Sequence, residues 1–176
     1  ATRVFNILDV EPEICDKPGA TELKPFSNNI EFRDVTFRYE KEKDVLGNLN
    51  LTVPSGQALA IVGPSGGGKT TLTNLVPRFL DIQENNGGIY IDNTDIRDVT
   101  MASLRDQISV VTQQTILFND TVRNNIAYGD LNASEDQIRA AADAAHALKF
   151  IEHLPSGFDT EIGEGGARLS GGERQR

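Results

Sequence analysis

The sequence predicts an α/β fold with a helical insertion late in the chain. Three features carry that expectation. Apolar and polar residues mostly alternate over residues 30–37 and again over 45–53, the mark of strands with one covered face. Leu59-Ala60-Ile61-Val62 is continuously apolar, as in a strand covered on both faces, and runs straight into a glycine-rich loop. Beyond Thr121 the apolar spacing turns helical.

The elements follow in order. Val4, Ile7 and Leu8 stand at helical spacing, enough for the tail of a helix. From Asp9 to Asn29 the composition shifts, with Pro12, Pro18, Gly19 and Pro25 punctuating polar residues, so an extended linker is expected over 1–29 and the folded body over 30–176. After the glycine loop a helix should carry Leu72, Leu75, Val76 and Phe79 on one side. Residues 88–92 and 108–112 read as further strands. Residues 122–128 and 134–154 read as helices, the second opened by a capping box of Ser134 and Gln137, and the helical part as a whole spans about 114–176. No internal repeat or low-complexity tract interrupts the pattern.

Composition narrows the function classes. At 176 residues the chain suits one domain with a real core. Its mean hydropathy is −0.34, and no apolar run approaches the ~20 residues that cross a bilayer. Ala1 to Phe5 shows no basic head leading into an apolar stretch and does not read as a signal peptide. The net charge of −9, with no dense block among 17 basic residues, argues against nucleic acid as a partner. A single cysteine, Cys15, allows no internal disulfide and reads as an inert linker residue.

Chemistry enters at Gly63-Pro64-Ser65-Gly66-Gly67-Gly68-Lys69-Thr70, which fits G-x-x-x-x-G-K-[ST] between an apolar strand pattern and a helix pattern. Glycines let successive backbone N–H groups turn inward around phosphate oxygens, and the following helix offers its electropositive end. Lys69 would reach the β- and γ-phosphates and the Thr70 hydroxyl would ligate Mg²⁺, with Thr71 continuing the nucleotide-binding run. About a hundred residues on, Leu169-Ser170-Gly171-Gly172-Glu173 forms a second helix start of small residues with open N–H groups, again fit for phosphate.

Together, in this order, the two segments resemble ABC ATPases, whose signature is usually LSGGQ; here Glu173 replaces the glutamine. The resemblance covers nearly the whole chain and is closest to exporters of the lipid A and multidrug half-transporter type. It implies a P-loop ATPase fold of ABC type, with an antiparallel β subdomain and a helical insertion. Arg3 to Asp9 resembles the exit from an exporter's last membrane helix, which would make 1–29 a linker from a membrane domain. Tyr39 matches the aromatic that stacks on adenine, and Val111-Thr112-Gln113 resembles the Q-loop, in which Gln113 would approach Mg²⁺ and the attacking water. Residues 160–166 are similar to the exporter loop that touches the membrane domain, where Glu164 would serve transmission.

The resemblance further implies two such domains head to tail, with ATP between one cradle and the other's Ser170, Gly171 and Gly172, at the cytoplasmic face of the inner membrane. Lys69 and Gln113 would then act in catalysis. The family's apolar strand ending in Asp-Glu and its later histidine follow the signature, so these 176 residues alone are expected to bind nucleotide weakly or not at all and to hydrolyse it negligibly. Ile91-Asp92 reads as a strand end entering a turn, and His146 and His153 as structural or surface residues. Three other readings stay open at this level: a soluble mechanical ATPase of the same fold, a nucleotide-binding module without turnover, and a small-molecule kinase, which would leave Ser170-Gly171-Gly172 without a task.

Overall fold

A computed structural model describes residues 10, 12–39, 43–112 and 116–175. Two compact units divide the chain, Ala1–Ser109 and Val110–Arg176. The helix-like opening at Val4 to Leu8 and the Q-loop residue Gln113 lie outside the described residues.

In the first unit, β1 (Asn29–Phe37) pairs antiparallel with β2 (Leu46–Pro54) on one side and β3 (Gly88–Ile91) on the other. A short β4 (Thr94–Asp95) completes the order β2-β1-β3-β4. β1 buries Phe32, Val35 and Phe37, and the three-residue step from Phe32 to Val35 explains why the sequence alternates only mostly. A register shift falls there, with Asp34 in the left-handed region at φ 52°. Asn50 secures it, accepting from the Asp34 N–H at 3.0 Å and donating to the Asp34 carboxylate at 2.8 Å. Gly87 passes so close to this bulge that an added Cβ would lie 2.3 Å from the Arg33 carbonyl oxygen.

The core gathers Phe32, Ile89 and Ile91 of the sheet with Leu72, Leu75 and Leu104 from the helices. α1 (Lys69–Leu75) turns Leu72 and Leu75 inward as its spacing requires. Phe79 departs from the expected face. α1 ends at Leu75, Arg78 takes φ 52°, and Phe79 is left 50% exposed with the Arg105 guanidinium 5.3 Å from its ring centre. α2 (Met101–Arg105) begins at Thr100, whose hydroxyl accepts from the Ser103 N–H.

Two expected strands are absent. Residues 59–62 and 108–112 have no hydrogen-bonded strand neighbour among the described residues, and Val62 and Val111 are 88% and 90% exposed. Apolar continuity marks segments suited to double-sided cover, but a strand exists only where a neighbouring ladder takes up its N–H and C=O groups.

Residues 12–28 form no helix or strand, yet they are tied to the first unit. Leu23 is buried, its N–H donates to the Ser103 hydroxyl at 2.9 Å, and the Phe26 N–H donates to Gln107 Oε1 at 2.7 Å. Asp92, in a left-handed turn after β3, accepts from the N–H groups of Ser27, Asn28 and Asn29 and from the Ser27 hydroxyl. The strand-end role expected for it is the one found. Desolvation pushes its carboxyl up, but the Asn29, Asn28 and Ser27 donors outweigh this and hold it below the ordinary 3.8. A lowered folded-state value stabilises the charged form above 3.8 and is lost as pH falls through the lower folded value. Protection of the amides of Ser27 to Asn29, the ratio of intrinsic to observed exchange rate, should therefore fall on acidification below about pH 4. Asp92→Asn should remove that acid-dependent step.

The second unit is helical, with α3 (Val122–Ile126), α4 (Glu135–Ala144), α5 (Leu148–Glu152) and α6 (Gly171–Gln175). Val122, Ile138, Ala142, Ile151, Phe158 and Ile162 make its core. Arg123 joins α3 to Asp159 at 2.9 Å and to Glu135, and its guanidinium lies over the Phe158 ring, 5.8 Å from its centre. The Ser134–Gln137 capping box is present in full.

The helix expected over 134–154 is two helices. His146 takes φ 54°, its N–H donates to the Asp143 carbonyl, and the Ala147 N–H donates to the Ala142 carbonyl at 2.7 Å. This is a Schellman ending with histidine where glycine is usual, which is why the pattern gave no stop signal.

Candidate functional site

The glycine loop reaches α1 through Gly68, whose φ of 79° places the next three residues at the helix start. A Cβ at Gly68 would stand 2.9 Å from the Leu46 side chain and 3.1 Å from the Val45 carbonyl, so the beginning of β2 packs directly under the loop. Sequence reasoning missed that support, because nothing in the spacing of Val45 and Leu46 says what lies above them.

The Gly67 N–H closes a turn on the Pro64 carbonyl at 3.2 Å. The N–H groups of Gly66, Gly68, Lys69 and Thr70 have no hydrogen bond to the described residues, leaving a row of donors along the loop and the helix start. Ser65 and Gly66 form the exposed turn of the loop. Lys69 Nζ folds across it, donating to the carbonyls of Gly63 at 2.9 Å and Pro64 at 2.6 Å. Thr70 is exposed beside it, while Thr71 is buried. Open amides, an ammonium folded over them and an exposed hydroxyl together suit a polyphosphate.

Tyr39 lies two residues beyond β1. Its hydroxyl is 3.0 Å from Thr71 Oγ1, and its ring meets Phe37 edge-on at 5.0 Å between centroids. Two of the expected site residues are thus in direct contact, an arrangement that no motif spacing could announce.

Ser170, Gly171 and Gly172 belong to the second unit and start α6. The Ser170 N–H donates to Glu173 Oε2 at 2.7 Å, and the Glu173 N–H donates to Ser170 Oγ at 3.4 Å. This is a capping box, which accepts Glu or Gln at its fourth position. Glutamate, standing where LSGGQ has glutamine, fills that position here.

The sequence pattern of the ABC transporter family matches residues 46–176. The chain belongs to the ABC transporter family. It is 69% identical over 176 residues to the ATP-dependent lipid A-core flippase of Desulfotalea psychrophila, covering 100% of this chain and 30% of that protein. To the flippase of the same name from Syntrophus aciditrophicus it is 58% identical, covering 100% of this chain and 29% of that one. Among solved structures it is similar to a bacterial Atm1-family ABC exporter with ATP bound, at a TM-score of 0.90 and 43% identity over 98% of this chain and 30% of that chain. The chain spans about 30% of the length of the curated relatives it matches.

The ABC ATPase fold expected from the cradle and signature is thereby established, including its antiparallel sheet and its helical part.

Proposed function

We propose that this chain is the ATP-binding part of an exporter that uses ATP hydrolysis to move lipid A-core or a related lipid across a membrane. The observation that carries the reading is the 69% identity, over the whole chain, to a lipid A-core flippase. The open amides of the loop and the fold-back of Lys69 support it chemically.

In this reading ATP lies along Gly63, Pro64, Ser65, Gly66, Gly67, Gly68, Lys69 and Thr70, with Thr71 closing the run and the base on Tyr39. A Mg²⁺ ion would accompany the triphosphate, held mainly by phosphate oxygens. Thr70, with Gln113, would hold that ion, which supplies charge neutralisation at the phosphates. The loop amides and Lys69 orient the triphosphate and draw negative charge toward the helix start as it develops. Gln113 would sense the γ-phosphate and place the attacking water.

The partners in this proposal are a second copy of the domain, head to tail, whose Ser170, Gly171 and Gly172 cover the ATP, and the transmembrane domain of the same transporter. The segment 1–29 then links from that domain, residues 30–176 begin the ATP-binding domain, and the cradle faces the cytoplasm at the inner membrane. No described helix is long and apolar enough to cross a membrane. By itself, the 176-residue chain should turn over ATP negligibly, since none of its acids occupies an Asp-Glu strand ending after the signature. Turnover near about 1 s⁻¹ by the isolated chain would refute that.

The deciding experiment uses the full-length protein in lipid nanodiscs and liposomes. Lipid A-core should stimulate its ATP turnover, and labelled lipid should change leaflet only with hydrolysable ATP. Turnover indifferent to every lipid, with no lipid movement, would sink the exporter reading while leaving the family intact.

A further inference from the structure

Of residues 12–28 only Leu23 is buried, so side-chain packing does little to hold this segment. Hydrogen bonds hold it, and those from residues 16–26 to the rest of the first unit converge on residues 98–107. Asp16 Oδ1 accepts from the Met101 N–H at 2.8 Å, and Lys17 Nζ lies 2.7 Å from Asp98 Oδ1. The Thr21 N–H donates to the Asp98 carbonyl at 3.1 Å, while the Thr21 carbonyl accepts from the Thr100 N–H at 2.9 Å. The Gln107 side-chain amide donates to the Leu23 and Lys24 carbonyls at 3.3 and 3.2 Å, beside the Leu23–Ser103 and Phe26–Gln107 bonds. Such bonds are directional, so they fix the register of the segment as well as its place.

The same stretch has a second attachment. Arg105, at the opposite end of α2 from Met101, donates from Nε to the Pro77 carbonyl and from Nη2 to the Arg78 carbonyl, both at 2.9 Å. Those carbonyls lie just past α1, the helix that starts at Lys69. The planar fork of a guanidinium sets two acceptors in one fixed geometry. Between the two attachments Val99 and Leu104 are both 0% exposed, so residues 98–107 cannot slide without opening the core.

We propose that α2 is a strut between residues 16–26 and the ATP cradle, and that Arg105 is the positioning residue at its cradle end. ATP that seats the start of α1 then also steadies the exit of α1, Arg105 and the hydrogen bonds to 16–26. By reciprocity, displacing 16–26 loosens the grip on triphosphate. This rests on the ATP-binding reading and on residues 1–29 being a linker from a membrane domain, whose movement would thereby reach the cradle through the first unit itself.

The test follows amide exchange, residue by residue, in the full-length transporter in nanodiscs, with and without a non-hydrolysable ATP analogue. The analogue should raise protection of the Thr21, Leu23 and Phe26 amides by about 3-fold or more, because each donates to residues 98–107. Arg105→Met keeps an unbranched stem and loses both donors. It should abolish that rise at saturating analogue and weaken analogue binding by about 3- to 10-fold. Arg105→Lys should recover only part of the loss. Asp16→Ala, at an exposed residue, should also weaken the analogue, and combined with Arg105→Met should lose no more than Arg105→Met alone. A bond that only stabilised the fold would lower protection with and without the analogue alike and leave the rise in place. Unchanged protection of the three amides in the wild type would overturn the proposal, and so would a rise that survives in Arg105→Met. Should Arg105→Met fail to fold, Asp16→Ala decides alone, and analogue affinity equal to that of the wild type rules the strut out. Failure of the underlying ATP reading looks different: the analogue would then bind Lys69→Ala as it binds the wild type.

Discussion

Lys69→Ala in the full-length transporter is expected to lower ATP turnover by at least about 100-fold, with little change in thermal stability. Lys69 contributes no side chain to either hydrophobic core. Its Nζ donates to the Gly63 and Pro64 carbonyls at 2.9 and 2.6 Å, so the amine already lies over the loop whose amides are open. Alanine removes the one ammonium in that loop and leaves a smaller, neutral side chain at the helix start. Partial charges of the amides alone then face a triphosphate bearing several negative charges. Lys69→Arg should not rescue the loss, because a planar guanidinium cannot occupy the place of a compact point charge between two carbonyls. Turnover of Lys69→Ala within a few-fold of the wild type would show that triphosphate does not lie along this loop.

How far the sequence revealed the molecule depends on how local each feature is. The Ser134–Gln137 box, the Thr70-to-Gly63 motif and the β1 and β2 patterns are written in residues a few positions apart, and all three were legible. The fate of residues 59–62 was not, because apolar continuity states a need for cover and says nothing of the partner that supplies it. His146 hid a helix end, since its left-handed conformation is set by the two hydrogen bonds that close the turn rather than by its own preference. Around the loop, the motif supplies the candidate residues, while the Tyr39–Thr71 contact and the Val45–Leu46 floor under Gly68 bring together positions more than twenty residues apart. Glu173 is the reverse case. It departs from the usual signature, yet it closes a capping box with Ser170, a place that glutamate and glutamine can both fill.

The second large effect concerns Gly171, and it separates what the fold needs from what a partner needs. A glycine is often retained because its own chain crowds it, as at Gly68, where an added Cβ meets Leu46 at 2.9 Å. At Gly171 and Gly172 an added Cβ meets nothing within 4 Å, and neither has a positive φ. Both open α6, where alanine is the better helix former by about 1 kcal/mol. Nothing inside this unit, then, calls for glycine at either position. If Gly171 is kept small for the ATP held by a second copy, Gly171→Ala should leave melting unchanged or slightly raised while lowering turnover about 10- to 100-fold, because a methyl group would hold the phosphates off the α6 amides. ATP-driven pairing of the domains, followed by cross-linking or scattering, should weaken in parallel. A Gly171→Ala transporter that pairs and hydrolyses normally would mean that this helix start faces no ligand. A drop in melting temperature would mean instead that the chain's own packing needed the space, contrary to the clearance around Gly171.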